Sequence, residues 1–549
     1  MNSILIVVLV AIIFFLAYHT YGSWLKKVWG VDNGKSTPAH EKQDNVDYVP
    51  AKAPVLLGHH FSSIAGAGPI VGPIAASVFG WVPVLVWIIF GCIFFGGVQD
   101  FSSLFASIRH DGKSIGEIIK VNMGKTQKKL FSVFAWLTLL LVIASFVNIV
   151  ANTFVSVPAS GTSSGLFMVL AITFGFFVYR KGVSLVIGTV IGVIVLGFFV
   201  YIGNVIPLKL SKNTWIVLIL GYIIVASVAP VWILLQPRDY LCSFLLYAMI
   251  LCGFIGIVIY HPSIVLEPYR GFKVDNQYMF PYLFITIACG AISGFHSLIG
   301  SGTSSKQLDQ EDDAQLIGYG GMLIEGIVAV VALITAAYLP VDQFNALLKN
   351  GGPVNVFSNG IAVFMQKLGV PFGIGKSFIA LAVSAFALTS LDTGTRIGRF
   401  IFQEFFESDE EPKKKSLLTN MYFATFVTAG LGGLVAMTNW EKIWPIFGSA
   451  NQLLAALALM AAAIWLKKTG KNHKMFLLPI FFMFTATIFA LILLAISSFK
   501  TKNYLLVIFP VLLFVLALTL LFKGSADLCN ENFKEKSDNT EVVQKELIN

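Results

Sequence analysis

Gly58-His59-His60-Phe61-Ser62-Ser63-Ile64-Ala65-Gly66-Ala67-Gly68-Pro69, followed by Gly72-Pro73, is an apolar block poorly suited to one uninterrupted helix. Proline removes an amide donor and glycine adds backbone freedom, so each of these residues weakens a continuous span. Unwound backbone at membrane depth survives only where protein or a watery cavity satisfies it. A second stretch repeats the theme: Gly290-Ala291-Ile292-Ser293-Gly294-Phe295-His296-Ser297-Leu298-Ile299-Gly300-Ser301-Gly302-Thr303-Ser304-Ser305. Setting Gly58 on Gly294 and His60 on His296, with small gaps, also brings Gly66-Ala67-Gly68 onto Gly300-Ser301-Gly302. The segments are an odd number of spans apart, so they are expected to cross the membrane in opposite directions. That is the pattern of an inverted repeat with paired discontinuous helices, from which secondary transporters build a midplane site. Small residues also serve plain helix packing; two matched segments with histidine in register favour a functional break.

The rest of the chain agrees with a membrane setting. Its 549 residues are 56% hydrophobic and 12% charged, with a mean hydropathy of +0.79, whereas soluble domains carry about 25% charged residues. The apolar residues fall in blocks of about the 17 to 25 residues that cross a bilayer as a helix. A soluble enzyme, a nucleic-acid-binding protein and a secreted disulfide scaffold are poor readings. The formal charge of +9 comes from Lys and Arg in short loops, where it orients the chain rather than selecting a substrate. Cys92, Cys242, Cys252, Cys289 and Cys529 are scattered without a C-x-x-C pair, which indicates neither a zinc site nor a disulfide framework. The first 18 residues lack the positive flank of a signal peptide and are read as a retained helix.

Apolar blocks at 2–18, 55–78, 81–108, 130–157, 164–179, 183–203, 214–234, 241–260, 281–299, 317–340, 373–391, 418–436, 444–466, 475–497 and 504–522 predict an all-α polytopic membrane protein with about 15 transmembrane helices. Residues 356–368 are short and mixed, and are expected to be an interfacial or re-entrant piece. With the loop from Arg109 to Lys129 inside, 28 of the 38 Lys and Arg fall on the inner side. The positive-inside rule then expects the N-terminus outside and the tail in the cytoplasm. The chain divides into an N-terminal helix and cytoplasmic linker over 1–54, a transport core over 55–522 and a polar tail over 523–549, expected to be disordered or a short amphipathic helix.

Ionisable groups within spans mark pathways or proton relays by default. Asp100, beside Gln99, is a candidate proton carrier, with a structural pairing to Arg109 or Arg396 as the alternative. Glu325 has no basic neighbour in sequence and is a further coupling candidate. Asp392 follows Thr389 and Ser390 and precedes Arg396 and Arg399 by one and two turns, which predicts an inner-gate ion pair. His59, His60 and His296 at the matched breaks are expected to line the cavity. Backbone amides at Gly66, Ala67, Gly68, Ser301, Gly302 and Thr303 would bind an anion, with Ser62, Ser63, Ser293, Ser297 and Ser301 as side-chain donors or lining. Asn451 and Gln452 follow Pro445 and Gly448 and would either bind substrate or hold neighbouring helices. In Gln236-Pro237-Arg238-Asp239-Tyr240 the preferred reading is a tight helical connection capped by Asp239. No ligand cluster for a metal is evident and no cofactor is expected.

Taken together, these stretches resemble the carbon starvation protein A (CstA) family. The matching residues are Gly58-His59-His60-Phe61 through Gly68-Pro69, Val98-Gln99-Asp100-Phe101, Ala229-Pro230-Val231-Trp232 through Leu241, and Ser293-Gly294-Phe295-His296 through Thr303. Gly318-Tyr319-Gly320 with Glu325, Leu391-Asp392-Thr393-Gly394-Thr395-Arg396 and Trp444-Pro445 through Gln452 complete the set. The resemblance implies an APC/LeuT-like transporter architecture and a carrier in the bacterial inner membrane that takes up pyruvate or short peptides during carbon starvation. It also implies proton symport with alternating access. Sodium coupling through Thr389, Ser390 and the carbonyls of a broken helix is the alternative. From another class, a membrane nutrient sensor would need an output module that a 27-residue tail is too short to supply. Partners are thus a small molecule and the bilayer, without nucleic acid.

Overall fold

The computed structural model describes residues 2–44, 47–230, 233–274, 277–406, 416–438 and 440–529. Eleven helices among them are long and apolar enough to cross a membrane, and a bent pair makes up to twelve. The long helices are α1 (Ser3–Trp29), α4 (Trp81–Ile108), α6 (Lys125–Ser156), α7 (Pro158–Val178), α8 (Leu185–Val205) and α10 (Leu235–Tyr260, apolar over Pro237–Tyr260). They continue with α14 (Gln315–Ala337), α17 (Phe372–Phe406), α19 (Trp440–Lys468), α20 (Lys474–Lys500) and α21 (Tyr504–Cys529, apolar over Leu506–Leu528). The bent pair is α2 (Ala53–Ile64) and α3 (Gly68–Ala76), turned by 49°.

Besides this bent pair, three more of the fifteen apolar blocks are short or broken. Helices α9 (Lys212–Val228) and α18 (Met421–Ala436) have 17 and 16 residues, and the block at 281–299 splits into α11 (Met279–Thr286), α12 (Ala288–Ala291) and α13 (Gly294–Gly302). A two-stranded ribbon of Lys273–Val274 and Gln277–Tyr278 precedes α11.

Two amphipathic pieces link α14 to α17: α15 (Val341–Lys349) and α16 (Gly352–Gln366). The second contains the stretch expected to be interfacial or re-entrant, and the structure corrects the interfacial reading. Twelve of its residues, from Gly352 to Met365, are buried, packed against α17, α10, α14 and α3. Of the residues that make the stretch look mixed, Gly360 is buried and Asn359 half-buried, while Gln366 and Lys367 are exposed at its end; Asn355 and Ser358 are buried as well, and Asn355 Nδ2 donates to Leu347 O at 3.1 Å.

Position in the bundle follows sequence character. The most apolar stretch of α19 is 100% buried, rich in Ala where helices approach closely, while that of α8, dominated by Val, Ile, Gly and Phe, is 17% buried and faces outward. The linker after α1 is tied down rather than loose. Trp29 is fully buried between Phe101, Phe105 and Phe476. Thr37 donates to Leu308 O at 2.6 Å, and Val49 and Ala51 pair with the backbone of Lys306 and Gln307. The helix α21 extends through Cys529, past the expected start of the tail; residues 530–549 lie outside the described residues.

Candidate functional site

The two broken segments lie side by side and antiparallel. Helix α2 packs on α13, and α3 packs on α11 and α12, so the first half of one meets the last half of the other. Glycine permits this approach: a Cβ on Gly68 would stand 2.4 Å from Cys289 Cβ, and one on Gly72 2.8 Å from Thr286 O. At the first break Ala65 leaves the helical region (φ −75°, ψ 64°). Helix α3 then starts at Gly68 without a side-chain cap; Gly66 N donates to Ile64 O, Ile70 N and Val71 N donate to Ala67 O, and Pro69 has no amide, so the amides left for another acceptor at this break are those of Ala67 and Gly68. Facing this break, Ser390 Oγ on α17 is buried without a hydrogen-bond partner among the described residues, 2.6 Å from where a Cβ on Gly66 would be.

The second break is held differently. Ile292 and Ser293 are extended (φ −160° and −139°), and helix α19 satisfies the backbone they release. Asn451 Oδ1 accepts from Phe295 N at 2.9 Å and its Nδ2 donates to Ser293 Oγ at 3.1 Å. Trp444 Nε1 donates to Thr286 O at 3.2 Å, and Gln452 Nε2 donates to Phe284 O. Gly448 lets the helices meet, since a Cβ there would be 2.0 Å from Ile285 O. Asn451 and Gln452 are thus both hydrogen-bonded to the neighbouring broken segment. Trp444 joins them, a contribution its sequence position at an apolar helix start did not signal.

Beside α13 the structure gathers the ionisable residues of three distant stretches. His296 Nδ1 lies 2.8 Å from Asp100 Oδ2 on α4, and His296 Nε2 lies 3.4 Å from Glu325 Oε2 on α14. The three side chains are at most 1% exposed. Asp100 Oδ1 and both amide atoms of Gln99 have no hydrogen-bond partner among the described residues. Asp100 is therefore paired with neither Arg109, whose Nη2 donates to Glu311 at 3.0 Å, nor Arg396. Glu325, without a basic neighbour in sequence, acquires one in space. His60 Nδ1 meets Ser304 Oγ at 2.6 Å, just beyond α13. Both helices carrying the acids contain a π-helical turn shortly before them, Cys92–Gly96 and Gln315–Gly320, a feature that recurs at functional sites.

A second buried network corrects the expected inner gate. Asp392 is bonded by Arg238 of α10 and, at 2.7 Å, by Tyr222 of α9. Arg238, whose side chain is fully buried, also donates to Asp239 Oδ1 at 3.0 Å, which accepts from Thr389 at 3.2 Å. Arg396 and Arg399 are not the partners of Asp392. Arg396 Nη2 donates to the carbonyls of Ala226 and Ala229, and Arg399 Nη1 to that of Ser227, all three at the C-terminal end of α9, where orphan carbonyls attract cations. Asp239 does not cap a connection; it lies inside α10. Arg238 and Tyr222 were not among the expected site residues. The only cue was a charged pair directly after Pro237 at the edge of an apolar block, and Tyr222 gave none.

Most of the expected serine donors are committed locally. Ser62 and Ser63 donate to His59 O, Ser297 to Gly294 O and Ser301 to Ser297 O. Ser301 Oγ also accepts from Ile115 N at 3.0 Å, docking the short helix α5 (Ile115–Met123). Gly302 faces open space, and Thr303 ends α13. An apolar crevice of about 330 Å³, lined by Leu196, Val200, Leu245, Cys252 and Phe378, lies between α8, α10 and α17, away from the acids. Among the described residues no group of three or more His, Cys, Asp or Glu is arranged to hold a metal ion.

Comparison with known proteins extends these observations. The chain matches the profile of the carbon starvation protein CstA family over residues 2–349 and 343–490. It is 32% identical to the peptide transporter CstA of Bacillus subtilis (strain 168), over 89% of this chain and 90% of that one. Identity is 33% with the peptide transporter CstA of Escherichia coli (strain K12) and 31% with the pyruvate/proton symporter BtsT of the same organism, each over 86% of this chain and 78% of the relative. Among solved structures, a manganese transporter from Eremococcus coleocola, in complex with an aromatic bis-isothiourea substituted compound, superposes with a TM-score of 0.52 at 14% identity, over 88% of this chain and 98% of that one. At that identity the likeness is one of fold.

Proposed function

The chain belongs to the carbon starvation protein CstA family and is a membrane transporter; from that premise we propose that it takes up a small carboxylate-bearing nutrient, pyruvate or a short peptide, by proton symport. The observation that carries this reading is the uncapped start of α3 beside the unpartnered Ser390 hydroxyl. First-turn amides of a half-helix, with its positive dipole end, suit an anion at membrane depth. The substrate carboxylate would lie against the amides of Ala67 and Gly68 with Ser390 donating, the expected amide of Gly66 being taken by Ile64 O. At the other break, Asn451 already occupies the amide of Phe295, which makes the two ends unequal. Two relatives, a peptide transporter and a pyruvate/proton symporter, support the substrate class. Alternating access would rock the broken pair against the helices that grip it, and the Arg238–Asp392 network would close the inner side. The setting is a bacterial inner membrane with the N-terminus outside and the C-terminus in the cytoplasm.

Uptake of labelled pyruvate and, in parallel, of a labelled dipeptide into proteoliposomes, each with the other unlabelled as competitor, tests the substrate. Saturable uptake blocked by dipeptides places both in one site; uptake that dipeptides ignore selects pyruvate. No uptake of either, in vesicles that retain folded protein, rejects the reading. The same Ser390 hydroxyl beside the carbonyls of the broken helix would also suit a hard cation, so a sodium-coupled version is a second reading. It requires accumulation to follow a sodium gradient.

A further inference from the structure

A buried imidazole between two carboxylates is a device for holding protons. Ionised groups are expensive at membrane depth, so such a cluster is most stable near neutrality. With two dissociable protons shared among one imidazole and two carboxyls it is neutral; with one it carries a single negative charge. The groups titrate as a unit, and a proton added at one is felt at all three. A transporter that admits a carboxylate monoanion needs this arithmetic, because the anion's charge is offset when the cluster takes up one proton. Loaded and empty carriers then bear equal charge, and half-loaded ones do not.

We propose that Asp100, His296 and Glu325 form the proton-binding site of this transporter, with His296 as the shared holder on the half-helix α13. This rests on the transport reading above and moves His296 from lining the substrate site to coupling. Three observations support it. His296 Nδ1 and Nε2 each face a different carboxylate, at 2.8 and 3.4 Å, contributed by helices α4 and α14. Hydrogen-bonding capacity is left over, on Asp100 Oδ1 and on the amide of Gln99, where an arriving proton or water finds acceptors. The element carrying the imidazole is the discontinuous one, so its position responds to any movement of the break.

The surrounding elements leave the cluster without a fixed positive charge among the described residues. Facing α13, α2 contributes His60, engaged with Ser304, and α19 contributes Asn451, engaged with Phe295 and Ser293. The helix Ile115–Met123 docks through the backbone of Ile115, while its Glu117 binds Lys128. Arg109, one helix end away on α4, is taken by Glu311. The step itself is a proton transfer only. A proton from the outer solution forms an N–H or O–H bond within the cluster as substrate binds, and that bond breaks as the proton leaves to the inner solution.

The experiment compares wild type with Asp100→Asn, His296→Gln and Glu325→Gln in proteoliposomes. One arm measures exchange of labelled for unlabelled pyruvate, the other accumulation under an inward proton gradient. A third arm follows proton uptake from weakly buffered solution when pyruvate is added to purified protein. The expected result is retained exchange, with loss of gradient-driven accumulation and of substrate-linked proton uptake, in whichever variants fold. Accumulation and proton uptake at wild-type levels in the folded variants would overturn the assignment. Loss of exchange as well would place these residues in the substrate site and also overturn it. A wild type that neither binds nor exchanges pyruvate or dipeptides would instead reject the transport reading on which the proposal rests.

Discussion

Asn451 and Gly448 make the case that a broken helix is only as stable as what grips it. Asn451 supplies an acceptor to one amide and a donor to one hydroxyl of the second break, and both lie in the buried interior. Asn451→Ala strands them, and leaving buried polar groups unpaired costs about 1–3 kcal/mol each. Its melting temperature in detergent should drop measurably; an unchanged value would remove the gripping role. Gly448→Ala drives a methyl into the carbonyl of Ile285, an overpacking worth about 1–3 kcal/mol, and uptake should fall with it. Gly302→Ala meets nothing within 4 Å and should change stability by less than about 1 kcal/mol. Purified-protein melting curves for the two glycine variants check the contrast. At this scale the sequence disclosed the unusual residues but not their partners. His296, Asp100 and Glu325 stood out because charge is rare in apolar blocks, yet residues 100, 296 and 325 meet only through tertiary packing. Hydroxyls were misleading for the opposite reason: Ser62, Ser63 and Ser297 bond to their own helices, which no residue pattern announces.

Helix by helix, position and pairing were legible to different degrees. The two discontinuous segments were readable from Gly and Pro content, and their antiparallel packing agrees with the odd number of spans between them. The burial of α16 was not readable, because its Asn and Gly residues face neighbouring helices instead of water. Nor was the pairing of Asp392, whose partner comes from another helix and not from the nearby Arg396. Arg238 and Asp392 join α10 to α17 with both side chains nearly inaccessible. Removing one partner of a buried pair leaves an uncompensated charge and costs about 3–5 kcal/mol. Arg238→Met and Asp392→Leu should each destabilise strongly, and the double variant should recover much of the loss in a melting experiment. If the double variant is as unstable as the sum of the two singles, the pair is not the interaction that matters. Trp29 ties the end of α1 to α4 and to the start of α20 through Phe101, Phe105 and Phe476. Trp29→Ala should cost about 3–5 kcal/mol, read as a lower melting temperature; a shift near zero would mean that the N-terminal helix is merely laid on the bundle.

Across the whole molecule, charge and hydropathy set an orientation that the bundle itself does not display. The expected orientation, which puts 28 of the 38 basic residues on the inner side, predicts that a cysteine introduced at Thr501 reacts with a membrane-impermeant maleimide in intact cells. One at Asn472 should react only after permeabilisation; the reverse pattern would invert the topology. The fold shared with a distant manganese transporter at 14% identity says nothing about cargo. The transport cycle proposed for them couples a carboxylate at the start of α3 to a proton at His296. The most direct test imposes a pH gradient, a membrane potential and a sodium gradient one at a time on sealed proteoliposomes, and follows labelled pyruvate. One proton carried with one monoanion is neutral overall, so pyruvate should accumulate under the pH gradient, collapse with a protonophore and respond little to the potential. Accumulation driven by sodium without a pH gradient, or exchange without accumulation under an imposed pH gradient, would contradict it.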